Sequence, residues 1–367
     1  MASYHIPVDR PHHDNLFDAG ALEIQRRFFA RRPALAATPL RSLPALASAL
    51  GIGALHVKDE TSRFGLNAFK AAGALFAVTT LVDSGRIRAR DTLVCASEGN
   101  HGRAVARAAR KAGCAARVYL SESVAPPRAA AIQDEAATIV TVRGTYDDAV
   151  RTMARDAAEH GWTVISDTSW DGYEEIPRLI MLGYTRLMDE AADVWAAPPN
   201  AIFAPAGVGG LLGAVACWAD LRYGTDRPRV VSVEPADATC VLSSVRSGRP
   251  TVLAGPFKTV MGGLRCGEMS PVAFPAIRSL VDGYVGIEDA WSFQAIRALA
   301  NPAGGDPAIL AGASGAAALG GLLATLREPE LAPLRVHLQL DRGSRVLVLV
   351  TEGVTDPDVH RVALSRG

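Results

Sequence analysis

Four segments of the chain hold residue types that could do chemistry. The first is NAFKAAG (67–73). Lys70 opens an Ala-rich stretch in apolar company, and burial and a positive helix end both disfavour an ammonium. A lowered pKa is expected there. A lysine of that kind serves as a Schiff-base nucleophile or a general base. A surface lysine in a first helical turn would read the same locally. The second is ASEGNHGRA (96–104). It follows a strand pattern and opens a helix pattern, so its backbone amides suit a carboxylate or a phosphate. Ser97 and Gly99 shape this turn, Asn100 and His101 add side-chain donors, and Glu98 offers an acid/base group or a partner for a cation. A plain βα turn also uses Asn and Gly for its shape.

The third segment is PAGVGGLLGA (205–214), again between strand and helix. Gly207, Val208, Gly209 and Gly210 let backbone wrap an anion at a helix N-terminus. The Gly-Lys-Ser/Thr ending of a nucleoside-triphosphate loop is missing. A dinucleotide fingerprint is nearly present, with Leu212 in place of the third glycine and Glu234 ending the next strand where a ribose-binding acid would sit. A nicotinamide enzyme therefore stays open at this level. The fourth is SDTSWDGYEEIPRLIMLGY (166–184), where Asp167 ends a strand pattern and a helix starts near Pro177. Acidic groups at strand ends are active-site candidates in parallel sheets, and they also cap helices and turns.

These residues need a frame to position them. Strands are expected at 54–60, 92–97, 116–121, 138–143, 163–167, 201–206, 229–235 and 344–353, and helices at 68–85 and 102–113 with Gly113 as a stop. Strand–helix alternation with near-continuous apolar strands points to parallel-rich sheets covered on both faces. The chain has 367 residues, enough for two domains. A small domain at 72–188 and a large one from 1–71 plus 189–367 are expected, joined near AADVWAAPPN (191–200). The 38 basic and 38 acidic residues cancel, which argues against a nucleic-acid binder. No apolar run reaches membrane length, and the first fifteen residues lack a secretory apolar core, so a cytoplasmic protein is expected. The five cysteines form no C-x-x-C pair, so neither a metal site nor a disulfide framework is indicated.

In order and spacing, VKDETSRFGLNAFKAAG (57–73), EGNHGRAVA (98–106), DTSWDGYEEIPRLIMLGY (167–184), PAGVGGL (205–211), VEPADATC (233–240), MGGLRCGE (261–268) and TEGVTD (351–356) resemble the diaminopropionate ammonia-lyase family. Those enzymes depend on pyridoxal phosphate and have the fold type II, tryptophan-synthase-β-like architecture. The resemblance implies two doubly wound α/β domains with the cofactor in the cleft between them, and it leaves the nicotinamide reading as a minor alternative. It implies that Lys70 holds pyridoxal 5'-phosphate through a Schiff base and that Gly207–Gly210 cradles the phosphate. Asn100 would donate to the ring hydroxyl, and Thr351 would face the pyridine nitrogen. Lys70 and the acid at position 98 would be bases for opposite substrate enantiomers, with Asp167 near the substrate amino group. Ser97, Gly99 and His101 would contact the substrate.

Two positions depart from the family pattern. Glu98 replaces an aspartate, reaching one methylene further, and Ala313 replaces a glutamate before Ser314 and Gly315. The first bears on enantiomer preference; the second removes a charge expected near the cofactor. The function this implies is α,β-elimination of 2,3-diaminopropionate to pyruvate and ammonia by a homodimer with an amino-acid substrate. The alternatives are a dehydratase acting on hydroxyaspartate, phenylserine, threonine or serine, and, as minor ones, a non-catalytic binding module or a nicotinamide-dependent enzyme.

Overall fold

The computed structural model describes residues 3–8, 15–97 and 99–365. Eleven strands are found among them: β1 (Ser3–His5), β2 (Leu40–Ser42), β3 (Ala54–Asp59), β4 (Thr92–Ala96), β5 (Ala115–Ser121), β6 (Thr138–Val142), β7 (Thr163–Val164), β8 (Ala201–Pro205), β9 (Arg229–Pro235), β10 (Gly283–Ile287) and β11 (Arg345–Val350). They form a seven-stranded sheet ordered β1-β10-β9-β8-β11-β3-β2 and a four-stranded sheet ordered β6-β5-β4-β7. All pairs in the smaller sheet are parallel. The larger sheet is parallel from β10 to β3, with antiparallel β1 and β2 on its edges.

The strands are apolar because both faces are covered. Along β11, Leu347 and Leu349 join one core, whereas Val346, Val348 and Val350 join another. The period-2 alternation thus divides apolar side chains between two dry faces. Helix Ala313–Arg327 covers one face of the large sheet. The other face shares its core with Leu93, Cys95, Val118 and Leu120 of the small sheet. Helices Lys70–Asp83, Asn100–Lys111, Glu175–Tyr184 and Gly210–Tyr223 fill that shared space.

Two features fix the helix that begins at Lys70. Gly73 and Gly183 let it cross helix Glu175–Tyr184 at backbone contact: a Cβ on Gly183 would stand 2.8 Å from the Gly73 Cα and 2.9 Å from the Ala72 carbonyl oxygen. Ahead of the helix, Arg63 is buried between Glu60 and Glu190, and Lys58 donates to Glu190 at 2.6 Å. Four charges without water are tolerable only when mutually paired and hydrogen-bonded. This cluster clamps the turn before Lys70 to helix Arg186–Ala192.

The eight anticipated strands all form, several of them shorter at the ends. In proportion to its length β7 shortens most, stopping at Val164. Tyr173 takes over there: its hydroxyl donates to the Val164 carbonyl and accepts from the Ser166 amide, both at 2.9 Å. Asp167 therefore sits on a tyrosine-pinned loop beyond the strand. Three strands were not anticipated. β1 and β2 are three-residue edge strands, and GYVGI of β10 is short and glycine-containing.

Candidate active site

The order of the large sheet reverses between β8 and β11, and the carboxyl ends of parallel strands at such a point open a crevice. The glycine loop leaves β8 there, and Thr351 and Glu352 leave β11. The small sheet adds the turn after β4, and the loop after β7 adds Asp167. One cleft gathers Lys70, Ser97, Gly99, Asn100, His101 and Asp167 opposite Gly207–Gly210, Thr351 and Glu352. Every site residue anticipated from the sequence lines it except Glu98, which lies outside the described residues.

Lys70 is brought in by backbone pairing. The Phe69 amide donates to the Thr351 carbonyl at 3.0 Å and the Gly353 amide to the Asn67 carbonyl at 2.9 Å. Thr351 thus holds the lysine turn as well as lining the cleft. The company of Lys70 is less apolar than its sequence neighbours imply. Its Nζ donates to Asp167 Oδ2 and lies 5.2 Å from the Phe69 ring centroid and 5.9 Å from that of Tyr184. Burial and the Asp167 charge push the Tyr184 hydroxyl pKa well up.

Asp167 is buried, which alone would raise its pKa; the adjacent His101 and Lys70, with the Lys70 hydrogen bond, outweigh burial and hold it at about 2. Burial instead dominates at His101 and keeps its pKa below the ordinary value. Its ring is therefore neutral near pH 7. His101 Nε2 lies 2.8 Å from the Ile165 carbonyl, an acceptor, so Nε2 carries the proton. Nδ1 is then a bare acceptor with no partner among the described residues, 3.8 Å from Asp167 Oδ2. Toward the cleft His101 is an acceptor, not the donor its sequence position implied. An imidazole lone pair and a carboxylate facing each other are suited to an ammonium.

The Ser97–His101 turn also has fewer amides to offer than its sequence implied. Ser97 Oγ accepts from the amides of Gly99 at 3.0 Å and Gly102 at 2.8 Å. Asn100 Nδ2 donates to Glu352 Oε2. Glu352, buried beside Ser314, was not singled out from the sequence; it brings a carboxylate into the neighbourhood where Ala313 appeared to remove one. The sequence held the signal, because TEG directly follows an apolar strand.

The glycine loop fits a phosphate. Gly209 has φ +88°, and a Cβ there would stand 2.9 Å from Ile277 Cδ1; on Gly207 it would meet Cys266 Sγ at 3.0 Å. Backbone alone can occupy this cradle. The Gly207 carbonyl accepts from Cys240 Sγ at 3.3 Å and that of Val208 from the Ser270 amide at 2.7 Å. With these carbonyls engaged behind the loop, its amide side and the N-terminus of the 14-residue helix Gly210–Tyr223 remain for an anion. Ser270 Oγ also accepts from the Ser169 amide at 3.0 Å, tying the Asp167 loop to the glycine loop. Glu234 takes no part in the cleft. It is buried and accepts from the amides of Val241 and Leu242 at 2.8 and 2.9 Å, a helix cap where a dinucleotide enzyme would need a ribose ligand. Cys95, Cys217 and Cys240 are buried thiols and Cys114 and Cys266 are half-buried, with no disulfide among the described residues. Among the described residues no cluster of three or more His, Cys, Asp or Glu is arranged for a metal, and no helix is long and apolar enough to cross a membrane.

A parallel two-sheet frame with a helix-borne lysine facing a phosphate cradle defines an enzyme of the fold type II pyridoxal-phosphate class. The chain belongs to the pyridoxal-phosphate dependent enzyme family, whose profile matches residues 32–352. It is 34% identical to diaminopropionate ammonia-lyase of Escherichia coli strain K12 over 96% of this chain and 93% of that one. It is 35% identical to diaminopropionate ammonia-lyase of Salmonella typhimurium, over 91% and 89% respectively. The crystal structure of the Escherichia coli enzyme with an aminoacrylate–PLP azomethine reaction intermediate superposes with a TM-score of 0.92 at 33% identity, covering 99% of this chain and 97% of that chain.

Proposed function

We propose that this protein is a cytoplasmic, homodimeric ammonia-lyase that uses pyridoxal 5'-phosphate to convert 2,3-diaminopropionate to pyruvate and ammonia. The observation that carries the reading is the facing pair of acceptors, His101 Nδ1 and Asp167 Oδ2, beside Lys70. A substrate with a second ammonium satisfies both, whereas a β-hydroxyl brings no charge to them. The relatives just described support the same substrate.

Bound in the cleft, pyridoxal phosphate supplies an electron sink for the bond broken at the substrate α-carbon. Gly207–Gly210 would hold its phosphate, Lys70 its reactive carbon, Asn100 its ring hydroxyl and Thr351 its ring nitrogen. The neutral hydroxyl of Thr351 would not keep that nitrogen protonated, which suits prompt elimination. Glu352 keeps one Asn100 N–H occupied and so fixes the orientation of the amide. Lys70 would be the base on one face of the substrate, and Glu98 the base on the other. Asp167 is ionised at neutral pH, so it would hold the second amine as an ammonium, which already carries the proton it needs to leave as ammonia. The segment 72–188 serves as a small domain over the cleft, and residues 1–71 with 189–367 as the larger one.

The test is a substrate panel on the cofactor-loaded protein, comparing amino and hydroxyl leaving groups in both enantiomers. The reading requires 2,3-diaminopropionate to exceed serine, threonine, hydroxyaspartate and phenylserine in kcat/KM. Faster turnover of a β-hydroxy amino acid overturns it.

A further inference from the structure

Tyr184 ends helix Glu175–Tyr184 and is 1% exposed. Its ring centroid lies 5.9 Å from Lys70 Nζ and 4.8 Å from that of the tilted Phe69 ring. The Lys70 helix leaves room for it at Gly73, where a Cβ would overlap Tyr184 Cε1. Packing therefore fixes the ring, and the hydroxyl oxygen with it. That oxygen is buried and has no hydrogen-bond partner among the described residues. An unpaired buried hydroxyl is costly to keep. Burial, and then the charge of Asp167, the carboxylate it faces, raise its pKa well above the ordinary value.

Lys70 Nζ is what occupies Asp167 Oδ2. As an ammonium this nitrogen has three N–H groups; bonded to a cofactor carbon it has at most one. Asp167 then needs another donor in the same buried place. His101 presents it with a bare acceptor. The Tyr173 hydroxyl already donates to the Val164 carbonyl. Cys95, also near the Asp167 charge, is a weak donor. Tyr146 is a rival on the cleft wall. Tyr184 is set against Lys70 itself, and its O–H has only to rotate.

We propose that Tyr184 is a positioning residue: its hydroxyl donates to Asp167 when Lys70 turns to the cofactor, and so keeps that carboxylate ionised and aimed at the substrate amine. The proposal rests on the reading of Lys70 as the cofactor lysine and deepens it, since one donor to Asp167 replaces another as the cofactor enters.

Tyr184→Phe keeps the ring and deletes the donor. The first measurement titrates cofactor-stripped protein with pyridoxal 5'-phosphate, following the visible absorbance of the bound cofactor. The deleted hydrogen bond belongs to the loaded state and reaches a charged group, which predicts a dissociation constant about ten- to a hundredfold weaker. The urea midpoint of the stripped variant should be unchanged or slightly raised. In an Asp167→Asn background the same substitution should weaken the cofactor by less than about threefold. The second measurement is the pH profile of kcat/KM for the loaded protein. Losing a donor to the charged form raises a carboxyl pKa, so the acid limb should move up by about one to two pH units. A stripped protein destabilised by Tyr184→Phe shows the hydroxyl to be structural in both states and overturns the proposal. So does an equal cofactor loss in the Asp167→Asn background, an unmoved acid limb, or a loss that follows Tyr146→Phe instead. A protein that gives the predicted cofactor affinities but makes no pyruvate from 2,3-diaminopropionate overturns the proposed function and leaves this inference standing.

Discussion

Replacing Asp167 by Asn removes one negative charge and almost no volume, so it isolates the electrostatics of the site. Asp167 receives the Lys70 hydrogen bond in a buried setting, and its carboxyl is held at about 2 against an ordinary 3.8. At about 1.4 kcal/mol per pKa unit, this shift, set by His101 and Lys70 together against burial, corresponds to roughly 2 kcal/mol. The folded pKa lies below the unfolded one. The contribution is therefore complete above pH 4 to 5 and is lost as pH falls through 2. By pH 3 about half of it, roughly 1 kcal/mol, is already gone. Urea unfolding of cofactor-stripped wild type and Asp167→Asn, run at pH 6 and pH 3, measures this directly. Wild type should be the more stable at pH 6, by about 2 kcal/mol, and its advantage should shrink by roughly half at pH 3. An advantage that is independent of pH, or that grows in acid, would refute the ion pair. The same substitution should cost about a hundredfold or more in kcat of the loaded enzyme if Asp167 keeps the leaving amine protonated. A loss under tenfold would leave it a purely structural partner of Lys70.

Other perturbations follow from the packing. Gly183→Ala puts a methyl 2.8 Å from the Gly73 Cα and should cost about 1–3 kcal/mol in thermal or urea unfolding, with weaker cofactor retention because the helix starting at Lys70 must shift. Glu234→Gln should flatten the alkaline limb of stability. Burial raises Glu234 to about 8, so the folded protein favours the protonated form, and wild-type stability declines relative to the variant as pH rises from 5 to 8. Absence of that difference between the two pH profiles would show that the two amide hydrogen bonds dominate over burial.

The alternating strand and helix pattern was legible because each central strand is apolar on both faces. The glycine loop was legible because three glycines in four residues have few structural uses other than backbone close to an anion. β1 and β2 were not, since three-residue edge strands carry no periodicity. The electrostatics of Lys70 were misleading along the chain. Its sequence neighbours are apolar, and its partner Asp167 arrives from 97 residues away on a loop pinned by Tyr173. His101 was legible as a polar group in the right turn. Its role as acceptor depends on the Ile165 carbonyl, a contact no local pattern encodes. Tyr184 ends an apolar helix with nothing in its sequence to mark it. Only the folded chain sets its ring beside Lys70.

The central claim is that Lys70, facing the glycine cradle and the Asp167–His101 pair, drives elimination from a diamino acid. The direct measurement is the ratio of ammonia to pyruvate released from 2,3-diaminopropionate by purified, cofactor-loaded protein, beside its Lys70→Ala variant. Elimination followed by hydrolysis of the enamine requires two ammonia per pyruvate in the wild type and no turnover above background in the variant. A ratio of one, or a Lys70→Ala protein that makes pyruvate at the wild-type rate, would contradict the account.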